Sequence, residues 1–193
     1  MYVLFEGVDT TGKSTQIQKL QEIYKDAVIT KEPGATKLGG ELRTLLLDKE
    51  LEISPSAEFF LFLADRAEHY ERVIAPNSDR LVISDRGFIS GIAYALSNDS
   101  KGDLDFLITL NRFALGGRLP EKIVFLKTTK ELLTSRITAK THDKIESRGI
   151  EYLLKVQENM EKVLKKTAIK HIILDASWSI EDLHEKIKGF LND

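Results

Sequence analysis

The chain has 193 residues, of which 42% are hydrophobic and 30% charged, and this composition predicts one domain spanning residues 1–193. Its 28 basic and 30 acidic residues nearly balance, which excludes the basic surface of a nucleic-acid or membrane-surface binder. Cysteine is absent, which excludes disulfide frameworks and thiolate metal sites. With no signal-peptide pattern and no long apolar run, we expect a cytoplasmic protein without a transmembrane helix.

Short apolar runs alternate with longer amphipathic stretches along the chain, a pattern typical of a parallel β-sheet with helices on both faces. We therefore expect an α/β fold. In chain order, the pattern predicts a strand over 2–5, a helix over 13–24, a strand over 27–30, helices over 39–48 and 55–74, a strand over 81–84, a helix over 103–115, a strand over 122–126, helices over 129–139 and 150–166, a strand over 171–174 and a helix over 180–191. The segments 31–38 and 140–149 are predicted to be functional loops.

The first predicted strand leads into a glycine-rich segment, residues 7–14, with the sequence Gly-Val-Asp-Thr-Thr-Gly-Lys-Ser. It matches the G-x-x-x-x-G-K-[ST] pattern of a phosphate-binding loop that precedes a helix. Glycines let the backbone approach a polyphosphate closely, Lys13 is expected to reach the β- and γ-phosphates, and Ser14 is a suitable Mg²⁺ ligand. The predicted ATP-binding residues are Gly7, Val8, Asp9, Thr10, Thr11, Gly12, Lys13, Ser14 and Thr15.

The phosphate loop by itself predicts binding of a nucleoside triphosphate, which GTPases, ATP-driven motors and small-molecule kinases all share. The chain contains no Asn-Lys-x-Asp guanine motif, and 193 residues is short for a motor. These observations favour a small kinase.

Further motifs extend over most of the chain, and with them it resembles the thymidylate kinases, the dTMP kinases among the P-loop nucleoside-monophosphate kinases. The motifs are Phe5-Glu6-Gly7-Val8-Asp9, Glu32-Pro33-Gly34 with Thr36, Gly39 and Arg43, Ala64-Asp65-Arg66, Asp85-Arg86, and a polar segment with Asp143 and Glu146. They follow the order of that family. The resemblance implies a five-stranded parallel sheet of order 2-3-1-4-5, an acceptor-site region at about 32–94 and a lid at about 136–149.

The segment 30–36 resembles the family's T-R-E-P-G-G-T sequence, which shapes the acceptor site, although Lys31 and Ala35 depart from it. Glu-Pro-Gly is also an ordinary turn sequence. Its place after a predicted strand favours the binding-site interpretation, because ligands of open α/β sheets collect at the carboxyl ends of strands. The resemblance implies that Arg43 holds the acceptor phosphate.

Phe62 and Arg66 lie four residues apart in a predicted helix and so share a face. The resemblance implies that Phe62 stacks on thymine and that Arg66 bonds its carbonyl edge, whereas position alone would make Phe62 a core or dimer-interface aromatic. It also implies that Tyr94 crowds a ribose 2′-hydroxyl and so favours deoxyribose. The expected dTMP-binding residues are Asp9, Glu32, Pro33, Arg43, Phe62, Arg66, Arg86, Gly91 and Tyr94.

Asp85 and Arg86 end the third predicted strand, again at a carboxyl end. A structural ion pair is the alternative to a functional one. The resemblance implies that Asp85 lies near the metal, that Arg86 bridges the two phosphate groups and that Asp9 binds the sugar 3′-hydroxyl. The expected metal ligands for Mg²⁺ are thus Ser14 and Asp85.

Phosphoryl transfer passes through a loose transition state, so catalysis depends on cations that follow the migrating group. One branch of the family has an arginine inside the phosphate loop, where this chain has Thr10 and Thr11, and another has basic residues in the lid. Among these we favour Arg136 over Lys140 and Arg148. The expected catalytic residues are Lys13, Asp9, Arg86 and Arg136, and residues 175–177 are expected to border adenine.

The chain departs from the family pattern at four positions, where Gly87 replaces Tyr or His, Gly91 replaces Ser or Thr, Ala95 replaces Gln, and Lys127 replaces an acidic residue. Because the hydroxyl missing at Gly91 usually helps to bind the base, weaker or broader nucleotide binding is expected. The four histidines show no metal-ligand spacing and are interpreted as surface or packing residues.

The expected function is ATP-dependent phosphorylation of dTMP to dTDP by a homodimer that associates through the helix containing Phe59 and Phe60. Two alternatives remain: another nucleoside-monophosphate or deoxynucleoside kinase, and a nucleotide-binding module that has lost turnover.

Overall fold

The computed structural model describes residues 1–48, 50–98, 103–137 and 148–193. Five parallel strands form one sheet of order β2-β3-β1-β4-β5, which confirms the predicted fold class and strand order. The strands are β1 (Tyr2–Glu6), β2 (Val28–Lys31), β3 (Val82–Asp85), β4 (Lys122–Lys127) and β5 (Lys170–Asp175).

The central strand β1 is buried along its whole length, as expected for a parallel strand covered on both faces. Its alternating side chains feed two cores: Tyr2 and Leu4 pack on one face, while Val3 and Phe5 pack on the other. Phe5 pairs with Asp85 of β3 and Val124 of β4, so the carboxyl ends of the three strands meet at one edge of the sheet.

Eight α-helices are seen within the described residues, and both faces of the sheet carry some of them. They are α1 (Lys13–Ile23), α2 (Lys37–Leu47), α3 (Pro55–His69), α4 (Phe88–Ser97), α5 (Leu104–Ala114), α6 (Lys130–Ile137), α7 (Ile150–Thr167) and α8 (Ile180–Asn192). None of the helices in these ranges combines the length and apolar character that crossing a bilayer requires.

Helix α4 was not predicted from the sequence. Its residues Phe-Ile-Ser-Gly-Ile-Ala-Tyr-Ala-Leu-Ser are buried on nearly every side, against α7 on one flank and α3 on another. A short run of mainly apolar residues is compatible with a buried strand as well as with a buried helix. The sequence of α4 therefore gave no clear helical signal.

The segment 55–74, predicted as one helix, is α-helical only up to His69. The α-helix ends at His69 and is followed by a π-helical turn, Tyr70–Ile74, and a 3₁₀ turn, Ala75–Asn77. Pro76 within the last turn lacks a backbone N–H and cannot extend the α-helical hydrogen bonds. The loop 140–147 and the predicted end of α6 at 138–139 lie outside the described residues.

Candidate active site

The phosphate loop joins β1 to α1 and folds around the side chain of Lys13. The Nζ atom of Lys13 donates hydrogen bonds of 3.0 Å to the carbonyl oxygens of Gly7 and Val8. Gly7 has φ 141°, and a Cβ there would lie 2.5 Å from the carbonyl oxygen of Leu126. The first glycine of the motif is therefore required by both its conformation and its contact with β4.

Lys13 is only 5% exposed. Burial, helped by the nearby charge of Arg86, lowers the pKa of its ammonium group to about 8, although Asp85 and Asp9 act in the opposite direction. The site therefore holds a positive charge at a cost that a bound anion would relieve.

Ser14 follows Lys13 on the first turn of α1, and its hydroxyl donates a 2.9 Å hydrogen bond to Oδ2 of Asp85 at the end of β3. The two residues predicted to ligate the metal are thus adjacent. Both line the same cleft as Lys13.

Arg86 connects the phosphate loop to α4. Its Nη2 atom pairs with Oδ1 of Asp9 at 2.7 Å, and its Nη1 atom donates to the carbonyl oxygen of Gly7 at 2.9 Å and to Oγ of Ser90 at 3.2 Å. Burial opposes the charge, but Asp9 and neighbouring groups hold the pKa of Arg86 above its ordinary value. Arg86 is therefore a fixed cation at the edge of the sheet.

Glu6 lies behind Arg86 and was not predicted as a site residue. Its fully buried carboxyl group accepts hydrogen bonds from the backbone N–H of Ser90, at 3.3 Å, and from the Ser90 hydroxyl. Burial raises the pKa of Glu6, and the bonds from Ser90 act against this. Ser90 thus links the buried carboxyl group to Arg86.

Two cavities with lining residues in common lie at this edge of the sheet. The phosphate cleft, about 650 Å³, is lined by Asp9, Thr10, Gly12, Lys13, Ser14, Thr15, Lys31, Glu32, Arg43, Asp85, Arg86, Ser135 and Arg136. The smaller acceptor pocket, about 70 Å³, is lined by Asp9, Glu32, Pro33, Arg43, Leu47, Phe62, Arg66, Arg86, Gly87, Ser90, Gly91 and Tyr94. All nine residues predicted to bind dTMP are among those lining the acceptor pocket.

Arg43 reaches the cavities from α2. Its Nη1 atom donates a 3.1 Å hydrogen bond to the carbonyl oxygen of Pro33. Gly34 has φ 103°, and a Cβ there would lie 2.8 Å from Cδ of Arg43. The Glu-Pro-Gly turn thus shapes the space that the arginine side chain occupies.

A buried polar network lies beneath the acceptor pocket. Oε2 of Glu32 pairs with Nη2 of Arg66 at 2.7 Å, and Oε1 lies 2.8 Å from Nδ1 of His69. Nε2 of His69 lies 2.7 Å from Oγ1 of Thr30. Burial would raise the pKa of Glu32, but Arg66 and His69 outweigh it and lower the pKa, so the carboxylate is charged.

His69 was interpreted as a surface or packing residue, and it is a buried one whose ring also hydrogen-bonds to the network, a role that the sequence did not predict. Its position three residues after Arg66 on α3 was a signal of a shared face. Asn111 was also missed, and it accepts a 2.5 Å hydrogen bond from Nη1 of Arg66.

Arg136 lies at the far side of the phosphate cleft, on α6. Its guanidinium donates to the carbonyl oxygen of Thr10 at 2.9 Å and to that of Ala176 at 3.0 Å. It therefore ties the phosphate loop to the segment 175–177, which was predicted to border adenine.

The other predicted lid residues are placed differently. Lys140, Asp143 and Glu146 lie outside the described residues. Arg148 donates to Oδ1 of Asn98 at 2.7 Å, and it also contacts Glu58 and Tyr152, so its guanidinium is directed toward α3 and α4.

The departures from the family pattern fall into two places. Gly87, Gly91 and Ala95 all lie at or within α4, whereas Lys127 lies at the end of β4 and pairs with Glu161 of α7 at 2.8 Å.

Comparison with known proteins places these features in a family. The family model "Thymidylate kinase" matches residues 5–187. The thymidylate kinase of Campylobacter concisus (strain 13826) is 53% identical over 193 residues, covering 100% of this chain and 99% of that protein. That of Sulfurovum sp. (strain NBC37-1) is 51% identical over 193 residues, covering 99% of each.

A solved structure of a thymidylate kinase is also similar to this chain. The crystal structure of thymidylate kinase from Ehrlichia chaffeensis superimposes with a TM-score of 0.77 and 25% sequence identity, covering 100% of this chain and 98% of the other. From the family match and the full-length relatives, we conclude that this chain belongs to the thymidylate kinase family.

Proposed function

We propose that the chain transfers the γ-phosphoryl group of ATP to dTMP, forming ADP and dTDP. Family membership supports the reaction, and one structural observation carries it. The phosphate cleft and the acceptor pocket share four lining residues, Asp9, Glu32, Arg43 and Arg86. A triphosphate on the phosphate loop and a monophosphate held by the two arginines would therefore meet in one space.

On the donor side, residues 7–14 would wrap the phosphates of ATP. Lys13 would exchange its bonds to the carbonyl oxygens of Gly7 and Val8 for contacts with the β- and γ-phosphates. The amino end of α1 adds partial positive charge at the same place.

On the acceptor side, Arg43 and Arg86 would hold the monophosphate, while Asp9 would accept a hydrogen bond from the sugar 3′-hydroxyl and keep Arg86 oriented through their 2.7 Å ion pair. Phe62 would stack on the base. Tyr94, nearly buried in the pocket wall, would exclude a ribose 2′-hydroxyl.

A magnesium site fits the residues present. Magnesium is commonly held by one or two protein oxygen ligands together with substrate phosphates. Ser14 and Asp85 supply a hydroxyl and a carboxylate 2.9 Å apart, and no cluster of three or more acidic or histidine ligands occurs in the described ranges. When bound, Mg²⁺ would neutralise charge on the ATP phosphates.

The protein's contribution to the chemistry is placement and charge, because a loose phosphoryl transition state requires little covalent assistance. Lys13 and Arg86 would stabilise charge on the transferred group. Arg136 is proposed to act with them, since its guanidinium borders the same cleft and donates to the phosphate-loop carbonyl of Thr10.

A substrate panel tests the proposed reaction. With ATP and Mg²⁺ in a coupled ADP-release assay, we expect dTMP to give the highest kcat/KM. We expect dUMP, which lacks one methyl group, to be used about 10- to 100-fold less efficiently. UMP and CMP should be poorer still because Tyr94 would clash with the ribose 2′-hydroxyl, and thymidine and AMP should give no significant turnover.

Each alternative function predicts a different result in this substrate panel. Comparable turnover of dTMP, UMP and CMP would contradict the thymine assignment, and turnover of thymidine would indicate a nucleoside kinase. ADP release that is equal for wild type and Lys13→Ala would indicate a nucleotide-binding module without kinase activity.

We also propose that the protein is a homodimer that associates through α3 and α5. Large aromatic side chains are exposed on these helices: Phe60 is 59% exposed, Phe106 52% and Phe113 86%. Phe60 and Phe113 line an apolar groove together with Leu63, Ala64, Ala67 and Leu110. Contiguous exposed apolar surface of this kind marks interaction sites in soluble proteins.

Substitution at the centre of this surface tests the dimer. We expect wild-type protein to sediment with the mass of two chains, and Phe113→Asp to sediment as one chain, because a buried unpaired carboxylate opposes association. Ile23→Asp is the matched control, because Ile23 is 49% exposed on α1 and lies outside the proposed interface. A dimeric Phe113→Asp variant, or a monomeric wild type, would contradict the assignment.

A further inference from the structure

The guanidinium group of Arg66 is held by two partners in the buried network. The Arg66 side chain is 1% exposed and lines the acceptor pocket. Glu32 pairs with its Nη2 atom at 2.7 Å, and Asn111 of α5 accepts a 2.5 Å hydrogen bond from its Nη1 atom. Asn111 is fully buried and is not among the residues lining the pocket, so any effect on a ligand must pass through Arg66.

The orientation of the Asn111 amide is determined by its surroundings. Its Nδ2 atom donates a 2.8 Å hydrogen bond to the carbonyl oxygen of Leu107 one turn earlier in α5. Since a carbonyl group only accepts and a guanidinium only donates, the two neighbours allow one orientation of the amide. The amide oxygen must therefore face Arg66.

Gly91 brings the guanidinium against α4. A Cβ at this position would lie 3.0 Å from Nη2 and 3.1 Å from Nη1 of Arg66. The space next to α4 is therefore taken by the arginine, and residue 91 offers no hydroxyl group to the base. Base recognition in this chain consequently depends more heavily on how Arg66 is held.

Arg66 has donor capacity left after these contacts. A guanidinium carries five N–H groups. Glu32 uses one on Nη2, and Asn111 uses one on Nη1. Its Nε atom is buried and makes no hydrogen bond within the described part of the chain. The donors left for a ligand in the acceptor pocket are therefore the remaining N–H groups of the terminal nitrogens Nη1 and Nη2.

We propose that Asn111 is a positioning residue for base recognition: together with Glu32 it fixes Arg66 in the orientation that donates to the O4 carbonyl of thymine. The proposal rests on the assignment of Arg66 to the base in the proposed function. Without the Asn111 acceptor, Glu32 alone would hold the guanidinium, and its donors would no longer be directed at one oxygen. Removing the Asn111 acceptor should therefore reduce base discrimination and leave phosphoryl transfer intact, because Asn111 contacts none of the cations assigned to phosphoryl transfer.

The test compares dTMP with its 4-thio analogue, which keeps the N3–H group and has sulfur in place of the O4 oxygen. Wild type is expected to prefer dTMP by about 10-fold in kcat/KM, because sulfur accepts a hydrogen bond from the charged guanidinium less well than oxygen does. Asn111→Leu is expected to reduce this preference below about threefold, mainly through a higher KM for dTMP, with the KM for ATP unchanged. Asn111→Asp keeps an acceptor for Arg66 but cannot donate to the carbonyl oxygen of Leu107, and it should retain more of the preference than Asn111→Leu does.

Leu107→Val on the same helix controls for simple loss of packing, since it should lower the thermal midpoint and leave the preference for dTMP intact. An Asn111→Leu variant that discriminates as well as wild type would overturn the positioning role. If Asn111→Leu fails to fold, an Asn111→Ala variant, which has no side-chain acceptor for Arg66, would overturn it equally by discriminating as well as wild type. If wild type itself shows no preference, the assignment of Arg66 to the base fails instead, and the two failures are thus distinguishable.

Discussion

Replacing Lys13 with methionine is expected to lower kcat by about 100- to 1000-fold, the typical cost of losing a preorganised charge from a transition-state site. The lysine ammonium group is the charged side chain that the phosphate loop encloses, and a methionine fills much of its volume without charge. The measurement is steady-state kinetics with dTMP and saturating ATP. An effect below about tenfold would contradict the role of Lys13.

The same substitution is expected to stabilise the protein. The pKa of Lys13 is lowered from 10.5 to about 8 in the folded state, mainly by burial, so its charged form is penalised by roughly 3 kcal/mol on folding. The penalty is complete below pH 8 and is lost as the pH rises from about 8 to 10.5, because only the unfolded chain then still binds the proton.

Thermal unfolding at two pH values separates this effect from general packing. The Lys13→Met variant should melt several degrees above wild type at pH 7, and the difference should shrink at pH 10. Lys19→Met, at a partly exposed lysine of the same helix, is the matched control and should change neither activity nor the pH dependence. A destabilised Lys13→Met variant at pH 7 would show that the buried charge is not penalised.

Replacing Arg86 with lysine is expected to lower kcat/KM for dTMP by about 100- to 1000-fold. Arg86 contacts Asp9, Gly7 and Ser90 at once through two nitrogens of a planar fork. Lysine keeps the charge but presents one compact ammonium group, which cannot reproduce this geometry. Kinetics with dTMP varied at saturating ATP measure the effect.

Arg72→Lys provides the comparison for Arg86→Lys, because the Arg72 side chain is 72% exposed and pairs only weakly with Glu68 on the surface. Its kinetic constants should equal those of wild type. If Arg86→Lys retained more than about a tenth of wild-type kcat/KM, charge alone would suffice and the fork geometry would be unimportant.

The sheet and the phosphate loop could be predicted because their signals are local. Apolar runs marked the strands, and the spacing of the glycines and Lys13 in residues 7–14 placed a turn between β1 and α1. The order of the strands came from the family resemblance. Helix α4 could not be found in this way, since a short run of mainly apolar residues does not distinguish a buried helix from a buried strand.

The candidate site could likewise be predicted only in part. Residues recognised by motif line the acceptor pocket, but the residues that support them were missed. Glu6 is 84 residues from Ser90, and Asn111 is 45 residues from Arg66. Contacts over such separations leave no spacing in the sequence, and only the folded chain brings the partners together.

Arg43 and Arg86, the two arginines proposed to hold the acceptor phosphate, differ in how far their side chains are already immobilised. Arg86 is already immobilised by three acceptors, so a monophosphate that binds it incurs little additional loss of rotamer entropy. Arg43, with one bond to the carbonyl oxygen of Pro33, is the more adaptable of the two. Arg86 would thus define the line of attack, while Arg43 would accommodate the shift of the monophosphate as it becomes a diphosphate.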